Sequence, residues 1–169
     1  MELSAVFNLK AALACTTVFL AHAAAAQAST VGTTMPVTSL TLNACLVVAT
    51  PMVFGTPNQL GGTPNDSQST VVVTCTPGTV YDVGLDNGIH AVANVRYMAP
   101  VIGTGTIPYT LSTNAGRTTA WGNTVGTNTV NGTAGVLPTT LNVYGRVPSS
   151  APPVAANAYA DLVTVTVTF

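Results

Sequence analysis

From Leu162 to the last residue the chain alternates without interruption. Val163, Val165, Val167 and Phe169 fall on one parity, and Thr164, Thr166 and Thr168 on the other. Period-2 alternation of this kind predicts a strand with one apolar face. Shorter stretches repeat it: Tyr81, Val83 and Leu85 alternate with Asp82 and Gly84, while Ile107, Tyr109 and Leu111 share a parity, as do Leu141 and Val143. Thr70 to Cys75 (TVVVTC) and the apolar, β-branched stretch from Val37 to Val48 predict further strands. Turn clusters stand between them: Gly61 to Asp66, Asp86-Asn87-Gly88, Asn131-Gly132 and Pro148 to Pro153. After Ala28 no stretch places apolar residues at i, i+3, i+4 and i+7 for the length of a helix. The pattern predicts an all-β sandwich of short strands.

The two ends of this pattern carry the functional hint. An apolar strand face needs neighbours that bury it, and nothing after Phe169 is there to pair with the last strand. The expectation is therefore a sheet with an open edge and an exposed groove, which folded proteins rarely leave uncorrected. At the other end, Ser29 to Val37 (STVGTTMPV) places Val31, Thr33, Met35 and Val37 on one parity, with Pro36 unsuited to a central strand. This segment reads either as a flexible leader or as a strand meant for another molecule.

The first 28 residues change what counts as the working protein. Lys10 precedes a run of mostly Ala, Leu, Val and Phe that closes with Ala26-Gln27-Ala28, the outline of a secretory signal peptide cut after Ala28. The run is too short and too rich in Ala for a membrane span. Cleavage would remove Glu2, Lys10 and Cys15. Three arginines (Arg96, Arg117, Arg146) and four aspartates (Asp66, Asp82, Asp86, Asp161) then remain, with neither Lys nor Glu. Charged residues are 5% of the whole chain, against roughly 25% in ordinary globular proteins. With a formal net charge of -1 there is no positive field to hold phosphates, which excludes nucleic acid as a partner. Cys45 and Cys75, an even count in an exported chain, read as one disulfide. The rival reading is a metal site, for which only His90 could join the thiols and no C-x-x-C spacing exists.

Candidate chemistry is sparse. His90 is the only histidine after Ala28, and Ser112, Asp82 or Asp86 could be placed around it as a hydrolase triad, but no Gly-x-Ser-x-Gly turn accompanies them. Turn chemistry explains Asp86-Asn87-Gly88 more simply than a cation site or paired catalytic carboxylates. Trp121 and the tyrosines read as sandwich core before they read as a carbohydrate platform. No catalytic, cofactor-binding or metal residues are assigned, no cofactor is called for, and no small-molecule substrate is expected.

The order of motifs resembles a known family. Leu141 to Arg146 (LNVYGR), then a Pro/Ala loop, then Tyr159 to Phe169 (YADLVTVTVTF) resemble the end of the spore coat protein U domain, which also forms the pilins of archaic chaperone-usher pili. Asn43-Ala44-Cys45, Phe54-Gly55, Val73-Thr74-Cys75, Tyr81 to Gly88, Tyr109-Thr110-Leu111 and Trp121-Gly122 extend the resemblance over essentially all of the chain after the signal.

The resemblance implies an incomplete, six-stranded immunoglobulin-like β-sandwich completed by a donor strand from another subunit or a chaperone. Residues 1–28 would then be the signal, 29–37 the donor extension and 38–169 the pilin domain. Val31, Thr33, Met35 and Val37 would be the donor residues, and Val163, Val165, Val167 and Phe169 would line the acceptor groove. The disulfide of Cys45 with Cys75 looks like the family's. The implied partners are identical or related subunits, a periplasmic chaperone and an outer-membrane usher, and the implied location is a fimbria at the cell surface that serves adhesion and biofilm formation. The alternative is a secreted spore- or cell-surface coat protein of the same fold that builds no pilus.

Overall fold

The computed structural model describes residues 30–56 and 62–169. The signal assigned to residues 1–28, Ser29 and the first residue of the Gly61 turn cluster lie outside them. Residues 30–39 belong to one unit and Leu40–Phe169 to another, each considered by itself. In the first, residues 30–39 form no strand, and Val31, Thr33, Met35 and Val37 are all exposed.

Among the described residues the second unit has nine strands. They are β1 (Cys45–Ala49), β2 (Asn65–Cys75), β3 (Val80–Leu85), β4 (Arg96–Pro100), β5 (Ile107–Ser112), β6 (Val130–Thr133), β7 (Thr139–Val147), β8 (Tyr159–Ala160) and β9 (Val165–Thr168). Every pairing is antiparallel. Six strands form one sheet in the order β1-β2-β7-β5-β4-β8, and three form another in the order β6-β3-β9. The described residues contain no helix.

Alternation explains which residues meet between the sheets. Val71 and Val73 of β2, Tyr81, Val83 and Leu85 of β3, Ile107, Tyr109 and Leu111 of β5, and Val143 and Val147 of β7 all point inward and are buried. Trp121, 1% exposed, fills the centre and satisfies its indole N–H on the Val83 carbonyl at 2.8 Å. An unpaired indole donor there would cost stability, so this bond lets a large ring serve as core. Cys45 stands directly opposite Cys75 in the β1–β2 register, and the two form a disulfide across a separation of 30 residues. Closing a loop of that size stabilises the folded chain by about 3.5 kcal/mol in the chain-entropy picture.

Several elements differ from the sequence-based expectation, each for a tertiary reason. The strand predicted over Val37 to Val48 is confined to β1, and residues 37–44 form none. Its partner β2 ends at Cys75, which leaves no ladder for the preceding residues beyond the bond from Thr76 N to Ala44 O. At its other end β2 starts at Asn65, inside a predicted turn cluster. Its first residues pair with the end of β7, where Arg146 grips Asp66 through two bonds of 2.7 and 2.8 Å.

Asn131-Gly132 is likewise not a turn but the middle of β6. Gly132 is needed there because a Cβ would lie 2.7 Å from the Tyr81 hydroxyl oxygen. There are also more strands than the expected six, with β4, β6 and β8 short additions of five, four and two residues. The result remains an all-β, immunoglobulin-like sandwich.

Candidate functional site

Two strands lie at sheet edges on the same side of the sandwich. β1 ends the six-stranded sheet and β9 ends the three-stranded one, and the two approach each other. Among the described residues β9 pairs only with β3, in a register that sets Val165 opposite Leu85 and Val167 opposite Val83. Its other edge has no strand beside it in the sheet among the described residues, which makes it a template for a further strand.

Between these edges the core is open. A cavity of about 450 Å3 is lined by Met52 and Phe54 after β1, Met98 of β4, Tyr159 of β8, Val163 just before β9 and Val165 at its start. Buried Leu85, Leu111 and Val143 form its floor. The Phe54 ring tilts against Tyr109 with centroids 5.9 Å apart. An apolar opening of this kind can accept alternate side chains of an extended strand, whose backbone would pair with the free edge.

One end of the cavity is polar and tightly bonded. The Asp161 carboxylate, with a side chain only 2% exposed, receives the Tyr109 hydroxyl at 2.7 Å on Oδ2. Its Oδ1 receives the backbone N–H of Ile89 at 3.1 Å and of His90 at 3.2 Å, and meets His90 Nδ1 at 3.0 Å. Burial, and then the bond to Asp161, raises the Tyr109 phenol far above its usual range. Asp86 caps the same loop by accepting Gly88 N and Thr164 N, each at 2.9 Å. Arg96 is buried beside them and donates to the carbonyls of Leu85, Asp86 and Trp121 at 2.7 to 2.9 Å.

The sequence-derived residues fall into distinct places. Val163 and Val165 line the cavity, Val167 packs against the core further along β9, and Phe169 follows β9 with 56% of its surface exposed. Cys45 and Cys75 are bonded to each other, so the metal reading of the two thiols is superseded. The residues considered for a triad are dispersed among other partners. Asp82 accepts from Thr129, Asp86 binds backbone amides, and the carboxylate at His90 belongs to Asp161. Trp121 is core.

Sequence reasoning missed Asp161, Tyr109 and the Met52/Phe54 wall. For Asp161 a signal was present, since it shares the parity of Val163, Val165 and Val167. A carboxylate on the apolar side of an alternating strand has to be buried with partners.

Among solved structures, a chain of the CsuC–CsuE chaperone–tip adhesion subunit pre-assembly complex, from the archaic chaperone-usher Csu pili of Acinetobacter baumannii, matches with a TM-score of 0.54 and 26% identity. The match covers 76% of the present chain and 40% of that one. A chaperone–tip adhesin complex of CFA/I fimbriae matches with a TM-score of 0.40 and 18% identity, over 64% of this chain and 36% of that one. No curated protein matches. The family model of the Spore Coat Protein U domain matches residues 31–166. With the disulfide-tied, edge-open sandwich that those residues build, the chain belongs to the Spore Coat Protein U domain family.

Proposed function

We propose that this protein is a structural subunit of an archaic chaperone-usher pilus and polymerises by donor-strand exchange. The observation that carries the proposal is the apolar cavity between two neighbouring free edges, β1 and β9. Family membership and the likeness to a chaperone–subunit complex support it. In this reading Val31, Thr33, Met35 and Val37 of one subunit enter the groove formed by Val163, Val165, Val167 and Phe169 of the next. A periplasmic chaperone fills the groove first, and an outer-membrane usher directs the exchange at the cell surface.

The energetics suit the task. Four inward side chains at about 1.5 to 3 kcal/mol each give on the order of 6 to 12 kcal/mol of burial, reduced because Thr33 is half polar. Donor and acceptor are different surfaces, so the contact is head-to-tail, does not close, and builds a filament. The role is structural rather than enzymatic, no nucleotide or metal enters the assembly, and the fibre supports adhesion and biofilm formation.

The test is expression of the full chain with and without residues 29–37, alone and with a candidate chaperone, followed by unheated denaturing gels. Ladders that collapse on heating and vanish with the truncation are the expected outcome. A stable soluble monomer whose groove is filled by its own chain would favour a coat protein of the same fold and sink the pilus reading.

A further inference from the structure

The backbone from Asp161 to Thr164 leads into β9 and forms part of the cavity wall, yet no strand ladder holds it. Side-chain carboxylates and loop amides hold it instead. Asp161 gathers the four contacts described above from the loop after β3 and from β5. Beside it Ile89 N reaches Leu162 O at 3.2 Å, Asp86 N reaches Thr164 O at 3.0 Å, and Thr164 N returns to Asp86 Oδ1 at 2.9 Å. The loop comes this close because residue 88 is glycine with φ +80°, and a Cβ there would collide with the Asp161 carboxylate. Arg96 fixes the loop from behind by clasping the Asp86 carbonyl with two of its nitrogens, at 2.9 and 2.7 Å.

We propose that Asp161 is the positioning residue of the acceptor groove: its buried carboxylate sets the place of Val163 and Val165 and so prepares the groove for the incoming strand. This inference rests on the donor-strand reading above. The physical ground is the directionality of hydrogen bonds. Displacing residues 161–163 by about 1 Å would take several of these contacts past bonding distance together, whereas apolar contacts alone would let the segment slide. A groove already in the bound shape loses less freedom on capturing a strand.

The test measures the rate of ladder formation by the full chain in Asp161→Ala, Asp161→Asn, Tyr109→Phe and Val147→Ala. Asp161→Ala should slow assembly at least tenfold. Asp161→Asn should recover to within about threefold of the wild type, because its amide oxygen still accepts the Ile89 and His90 N–H groups while its NH2 turns to the Tyr109 oxygen. Tyr109→Phe, which deletes one bond and leaves the ring, should fall between them and keeps the inference testable if Asp161→Ala does not fold.

Val147 is buried but does not line the cavity. Val147→Ala should lower heat stability while leaving the assembly rate within about twofold. Wild-type rates in both Asp161→Ala and Tyr109→Phe would overturn the inference, as would equal slowing by Val147→Ala at matched stability. A wild-type chain that forms no ladder at all would instead remove the donor-strand reading, and this inference with it.

Discussion

Arg96 illustrates how a chain this poor in charge places the few charges it has. Its guanidinium is buried against three backbone carbonyls, and among the described residues it makes no direct ion pair. Burial lowers its pKa from the usual value, opposed by the electrostatic pull of Tyr109, Asp86 and Asp161. The planar fork meets several acceptors at once, which a lysine ammonium could not reproduce. Asp86 works the other way. Partial burial pushes its carboxyl up, but the bonds from Thr164 and Gly88 and the field of Arg96 outweigh this and hold it below the usual carboxylate value.

A carboxylate depressed in the folded state contributes stability that is present above its unfolded value and lost as the pH falls through the folded one. Acidification below about pH 4 should therefore loosen the loop that holds residues 161–164. Thermal melting across pH 2.5 to 6 should show the midpoint falling at the acid end, with a shallower fall in Asp86→Asn. Parallel curves for the two proteins would mean that Asp86 does not supply the acid sensitivity.

At the scale of elements, alternation was a good guide wherever burial alone decides the strand. β3, β5, β7 and β9 all stand where Tyr81-Val83-Leu85, Ile107-Tyr109-Leu111, Leu141-Val143 and Val165-Val167 placed them. It failed where a partner decides. The start of β2 depends on Arg146 meeting Asp66 from 80 residues away. β6 depends on a glycine that makes room for Tyr81, and β4, which no alternation marked, carries the buried Arg96.

The candidate site divides in the same way. Parity singled out Val163 and Val165, which line the cavity, but not Met52 and Phe54, because residues 50–54 form no strand and their place follows from Gly145 opposite, over which both side chains pack. The β9 parity makes a sharp contrast available. Val165→Asp, pointing into the cavity, should reduce ladder formation more than tenfold, while Thr166→Asp on the outward parity should leave it within about twofold. Equal behaviour of the two in the gel assay would show that the groove does not run along this face.

Taken whole, the molecule joins three features that would be liabilities in a lone soluble domain: the neighbouring edge strands β1 and β9, an apolar opening between them, and a chain with few charges to discourage association. In the donor-strand reading proposed above, a subunit stacked on copies of itself would turn all three to use. This predicts that the chain can be made self-sufficient by supplying its own missing strand. Residues 29–37 appended after Phe169 through a short flexible linker, in a chain deleted of residues 29–37 at its start, should fill the groove within one molecule. The donor burial estimated above, on the order of 6 to 12 kcal/mol, is comparable to the entire stability of an ordinary domain. At a few degrees per kcal/mol for a domain of this size, the thermal midpoint should exceed that of the truncated chain by roughly 20 °C or more. Size-exclusion chromatography should give a monomer, and unheated gels should show no ladder. Replacing Val31 and Met35 with Asp in the appended segment should cancel the gain, because the register that buries them would then bury charge. An extended chain that melts with the truncated one would mean that residues 29–37 are not the strand this groove takes.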